Sequence, residues 1–159
     1  MEKDSQRGLE KLMVWRKAIE LVAMIYEQIF PCLPPEEKWA MESQLRRAAQ
    51  SIPANIAEGY GRFYYQDHIR FCYIARGSLE ETYSHLSLAL RLGYLDEDQF
   101  NRLTAEIIEL RRMLSGYISF LKSSKPGASE PGADHLIHDD LAFYNDSLSE
   151  TSPGPELPD

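Results

Sequence analysis

The chain of 159 residues is 43% hydrophobic and 11% aromatic, enough for a real core in one domain, which excludes wholesale disorder. No apolar run approaches the ~18–20 residues of a spanning helix, and the charged start MEKDSQRGLEK has no apolar h-region. Two cysteines cannot staple a chain this long, so the expected setting is the cytoplasm, away from any membrane.

The net charge of −8 is unevenly placed. Residues 1–122 carry 16 basic and 17 acidic side chains, whereas residues 123–159 carry one basic and eight acidic ones. The organisation expected is a flexible stretch at 1–8, a helical body over 9–122 and an acidic tail over 123–159.

In the body, apolar residues recur at steps of three and four, the period of a helix. The first segment, about 9–30, aligns Leu12, Trp15, Ile19, Val22, Tyr26 and Ile29, and Pro31, Pro34 and Pro35 end it. The second presents Met41, Leu45, Ala48, Ile52 and Ile56. Pro53 is expected to interrupt it with a kink, or Ser51 to cap a fresh turn there, and Gly59 and Gly61 close it. If Pro53 leaves the Ala49 carbonyl unpaired, Asn55 is the expected donor. The third runs from about 65 to 92 with Ile69, Cys72, Leu79, Leu86 and Leu90 inward and Gly93 just past its end. Gly77 within it suggests that another helix comes close. Asp96 and Gln99 form a capping-box pattern before Phe100, Leu103, Ile107, Leu110, Leu114, Tyr117 and Leu121. Short connections make sequential helices antiparallel, so the fold expected is all-α, an antiparallel up-down-up-down four-helix bundle.

The tail holds five of the nine prolines, and its repelling carboxylates and small residues cannot offset ordering entropy, so it reads as disordered. One interruption, DHLIHDDLAFYND at 134–146, spaces Leu136, Ile137, Leu141 and Tyr144 as a short helix would. It reads either as a docking helix or as a transiently helical piece of tail.

Signals for chemistry are sparse. His68 and Cys72 are one turn apart but lack further ligands for a metal, and no phosphate loop, nucleophile elbow or HExxH string occurs, so no cofactor, metal or catalysis is expected. Between Ser43 and Leu79, five arginines (Arg46, Arg47, Arg62, Arg70, Arg76) face two acidic residues. Beside them lies an aromatic turn, Tyr60, Phe63, Tyr64 and Tyr65. Arginine with accessible rings suits RNA through phosphate contact and stacking; aromatics at a helix corner equally suit an oligomer or partner interface, or intrachain packing.

The string Arg46-Arg47-Ala48-Ala49-Gln50-Ser51-Ile52-Pro53-Ala54-Asn55-Ile56-Ala57-Glu58-Gly59 resembles the signature of the S23-like proteins encoded in 23S rRNA intervening sequences. The likeness extends to Leu12, Val14, Trp15, Lys17 and Ala18, to Ile74 through Glu81, and to Leu90 through Leu95, covering about 9–122. It implies a four-helix bundle that self-assembles, as in the related accessory variability determinant proteins of diversity-generating retroelements. Those form pentamers and bind a reverse transcriptase and nucleic acid. Ser51, Pro53, Asn55, Glu58, Gly59 and Gly77 match the pattern as structural positions, and none is implied to be catalytic. The function expected is a non-enzymatic, self-assembling binding module for rRNA, other structured RNA or a ribonucleoprotein. The alternative is a protein–protein adaptor, for example to a reverse transcriptase, without nucleic-acid contact.

Overall fold

The computed structural model describes residues 8–123, which are helical between short turns, with no strand among the described residues. The expected tail and the 134–146 segment lie outside the described residues. Four long helices carry the architecture: α1 (Met13–Gln28), α2 (Met41–Tyr60), α3 (Tyr65–Arg91) and α4 (Glu97–Ser123). Two 3-10 turns, Phe30–Cys32 and Pro35–Trp39, bridge α1 to α2. Each helix packs on the next in sequence, and α1 closes against α4. Polar contacts join the neighbouring couples: Tyr26 with Gln50, Ser51 with Ser78, His68 with Tyr117, and the Gln99 amide with the Gln28 carbonyl.

A single core threads all four helices. Leu21, Ile25, Leu45, Ile52, Ile56, Leu79, Leu86, Leu103, Ile107, Leu110 and Leu114 are fully buried in it. Burying a Leu or Ile side chain is worth roughly 1.5–3 kcal/mol, so this interior dominates stability. The inward face read for α2 holds completely, because Met41, Leu45, Ala48, Ile52 and Ile56 are all buried. So does most of the α4 face, with Phe100 and Tyr117 packed at its margin. On α3, Ile69, Cys72, Leu79 and Leu86 are buried, while Leu90 is half-buried.

Four expectations are corrected. Residues 8–11 form a separate helical turn, and Leu12 is extended (φ −73°, ψ 107°), so α1 starts at Met13. The buried face of α1 is Val14, Ala18, Leu21 and Ile25, with Ile19 exposed. Ala18 is fully buried at the middle of that stripe, and Trp15, Val22 and Tyr26 are half-buried beside it. Third, α2 is not interrupted: it runs unbroken through Pro53, and Ser51 caps nothing. Proline forfeits one backbone bond, but Ala49, Ile52, Pro53 and Ile56 are all buried there, so packing sustains the helix across the gap. Asn55 bonds the Ser51 carbonyl at 2.8 Å, not the Ala49 carbonyl expected of it.

The ends follow local chemistry. Gly93, at φ +77°, follows α3, with Tyr94 N–H donating to the Ala89 carbonyl at 2.9 Å and Gly93 N–H to Leu90 at 3.0 Å. That pair of bonds is the Schellman motif. Asp96 and Gln99 exchange reciprocal bonds of 2.7 and 3.1 Å, so the capping box ahead of α4 is formed.

Candidate functional site

The signature string occupies α2, and its polar residues meet α3 along one seam. Ser51 Oγ and Ser78 Oγ lie 2.8 Å apart across it, and Asn55 Nδ2 donates to Ser51 Oγ at 2.8 Å. Ser78 and Thr82 donate back to the carbonyls four residues earlier, at 3.1 and 2.8 Å. Small hydroxyl residues with internally satisfied donors allow two helices to approach closely without orphaned polar groups. Gly59 completes the contact, since a Cβ there would lie 2.9 Å from Phe71 Cβ and 3.0 Å from the His68 carbonyl. Its role is close approach, not helix closure, because α2 continues to Tyr60.

Outside this bonded layer lies a groove of about 330 Å³ lined by Arg47, Ala48, Gln50, Ser51, Ala54 and Glu81. A cation and a carboxylate thus line a floor of small side chains, an arrangement suited to holding a polar partner by non-covalent contact. Gly77 sits on the exposed face of α3, and nothing among the described residues comes within 4 Å of the Cβ position. Arg70, Ile74, Gly77 and Glu81 follow at i, i+4, i+7 and i+11, the spacing of one helix face, and all four are exposed.

The five arginines do not form one patch. Arg47, Arg62 and Arg70 are exposed. Arg62 pairs with Glu58 and lies over the Phe71 ring at 4.9 Å. Arg46 turns to α1, paired with Glu42 and stacked on Tyr26 and Phe30 at 4.6 and 4.4 Å. Arg76 lies over Tyr73 at 4.8 Å, and Lys122 of α4 approaches the same ring at 5.1 Å. Arg76 therefore belongs to the α3/α4 side.

The aromatic turn divides too. Phe63 is 90% exposed and forms an edge-to-face pair with Tyr64, itself 44% exposed. Tyr60 and Tyr65 turn inward: Tyr60 contacts the His68 ring, and Tyr65 packs on the core.

The remaining titratable groups are tied to packing. His68 Nε2 lies 3.1 Å from the Tyr117 hydroxyl, and burial holds its pKa below the usual imidazole value. Burial pushes the Cys72 thiol up to about 12. Among the described residues no three His, Cys, Asp or Glu side chains converge as a metal would require. Sequence reading missed the charged ties between helices: Arg111 grips Glu80 with two bonds of 2.6 and 2.9 Å, and Lys17 bridges Glu106 and Glu109 at 2.5 Å each. Hydrogen bonds to Glu106 and then Glu109 raise the Lys17 pKa. Charges on separate helices have no spacing rule that pairs them in a sequence.

Fold and seam together define a class: all-helical proteins whose signature string forms a bonded helix–helix contact beneath an exposed polar groove. The chain belongs to the 23S rRNA-intervening sequence protein family, whose model matches residues 10–116. Four chains of solved structures match it. One is a protein of unknown function from the S23 ribosomal protein family of Bacteroides thetaiotaomicron, 25% identical with a TM-score of 0.62. That likeness covers 67% of this chain and 98% of the other. Among curated proteins none matches. No helix among the described residues is long and apolar enough to cross a membrane.

Proposed function

We propose that this chain is a non-enzymatic binding module: an antiparallel up-down-up-down bundle that assembles with copies of itself, as a pentamer, and associates with rRNA or a ribonucleoprotein in the cytoplasm. One observation carries the RNA reading. Within a family named for rRNA intervening sequences, Arg47 and Arg70 are exposed on the two helices joined by the signature seam, and Arg62 is exposed on the turn between them. Exposed guanidinium groups bind phosphates through charge-assisted hydrogen bonds and counterion release. Ile74 and Leu88 on α3 and Leu92 just past its end are exposed and support self-assembly, because apolar side chains lose water contact when a copy covers them.

Filter binding of 23S rRNA fragments across a salt series tests the RNA contact. Three phosphate contacts on a duplex give a log–log slope of about −2.7, and removing one arginine reduces it by about 0.9. No binding at low salt overturns the reading. Mass measured in solution tests the pentamer, and a monomer at working concentration refutes it.

The adaptor reading is favoured by Phe63, 90% exposed beside Tyr64. An outward aromatic pair at a corner is the kind of anchor that protein interfaces bury. Affinity purification with nuclease treatment separates the two. Protein partners that persist after nuclease and are lost in Phe63→Ala support the adaptor; RNA that stays bound to Phe63→Ala does not fit it.

A further inference from the structure

The outward face of α3 complements itself when turned end for end. Arg70, Ile74, Gly77 and Glu81 follow one another along it, so a cation and a carboxylate enclose an apolar side chain and a gap. Ile74 is 44% exposed, and Leu88, further along the same face, is 48% exposed. Gly77 lowers helix propensity, and nothing among the described residues comes within 4 Å of the space its side chain would fill. The Arg70 guanidinium has no ion-pair partner among the described residues, and Glu81 has one, the His85 imidazole at 3.7 Å. Charge, bulk and gap all point away from the bundle.

We infer that this face pairs with the same face of a second copy, antiparallel, about a two-fold axis that crosses α3 between Ile74 and Gly77. In that register Arg70 meets the partner's Glu81, Glu81 meets the partner's Arg70, and each Ile74 enters the gap over the other copy's Gly77. Charge selects the arrangement. A parallel pair sets arginine on arginine and glutamate on glutamate. Sliding the antiparallel pair by three residues sets Glu81 against the partner's Asp67. Only the stated register offsets both charges at once. It also brings Leu88 to the turn that carries the partner's Phe63, itself 90% exposed. The strip from residue 63 to residue 88 is ~38 Å long and ~10–12 Å wide, about 400 Å² on each copy, the size of a weak, reversible pair. This goes beyond the ring proposed above. A ring needs two different surfaces on each copy, whereas a face that pairs with itself joins two copies, or two rings. Of the arginines offered to phosphate it engages Arg70, and its test contains no RNA.

The experiment is sedimentation of the full chain at low salt, over concentrations up to about 100 µM. The parent should double in mass as concentration rises, from one copy to two or from one ring to two. Arg70→Glu and Glu81→Arg each replace two attractive contacts with two repulsive ones, and each should weaken doubling about tenfold or more. The combined Arg70→Glu/Glu81→Arg chain should double as the parent does, and so should an equal mixture of the two single variants. Gly77→Gln fills the gap without altering a charge and should also lose the pairing, with helical content by circular dichroism unchanged. A parent that does not double overturns the proposal, as does a single variant that doubles like the parent. A combined variant that stays apart also overturns it and assigns the face to some other surface of a copy. Rings that form without doubling overturn this inference and leave the ring standing; single copies that double and never form rings uphold it and refute the ring.

Discussion

Two glycines of the signature region do opposite things. Gly59 is where α3 comes nearest to α2, and a methyl group there meets Phe71 and the His68 carbonyl. Gly59→Ala gains about 1 kcal/mol of helix propensity but incurs ~1–3 kcal/mol of overpacking, so a net loss of up to about 2 kcal/mol is expected in urea unfolding. Gly77→Ala meets nothing within 4 Å and should stabilise the isolated protomer by ~0.5–1 kcal/mol. If copies pack on that face, the same methyl weakens assembly, and dilution series of the two proteins would separate the effects. His68 makes a third residue-scale case. Burial lowers its folded pKa below 6.5, so the unfolded chain binds the proton more readily. The histidine's contribution is therefore complete above about pH 6.5 and is lost as pH falls from there towards the folded value. Melting temperature should drop between pH 7.5 and 5.5, with a shallower drop in His68→Gln. An equal slope in the variant would exclude His68 as the source.

At the scale of the element, legibility tracked whether the signal was local. Asp96 with Gln99, and Gly93 after Leu92, are complete within a few residues, so the cap and the Schellman turn could be read directly and are both formed. Asp96→Ala should cost about 1 kcal/mol in thermal or urea unfolding by freeing the Gln99 N–H. The α1 face was misread because the reading followed the large side chains Trp15, Ile19 and Tyr26, whereas Val14, Ala18, Leu21 and Ile25 make an equally regular stripe, and only the other helices decide which one is buried. The continuity of α2 through Pro53 was hidden for a related reason. Proline's local cost is visible in the string, while the burial of Ala49, Ile52 and Ile56 around it depends on the other helices. The arginines share that fate: Arg46 and Arg47 are adjacent in sequence, but one lies on the rings of Tyr26 and Phe30 and the other lines the groove.

For the molecule as a whole, charge is the organising quantity. The described body and the region after it differ by six units, −1 against −7 for residues 1–122 and 123–159. A polyanion on the same chain competes with any nucleic acid for exposed arginines. Deleting residues 124–159 should therefore tighten rRNA binding and steepen its salt dependence, and equal affinity with and without the tail would refute that competition. The family and the helical content were readable because the signature string and the three-four periodicity are properties of contiguous sequence. The division of the candidate site into an α2/α3 groove and an α3/α4 cation pair was not, since it depends on which helices are neighbours.

Cys72 lies at the centre of this arrangement, fully buried, with its thiol pushed up to about 12, whereas Cys32 is exposed on the turn after α1. One sulfur is therefore open to alkylating reagents at all times, and the other only when the helices part. The chain carries its own stopwatch: the lag between first and second modification at mildly alkaline pH reports how often the interior breathes.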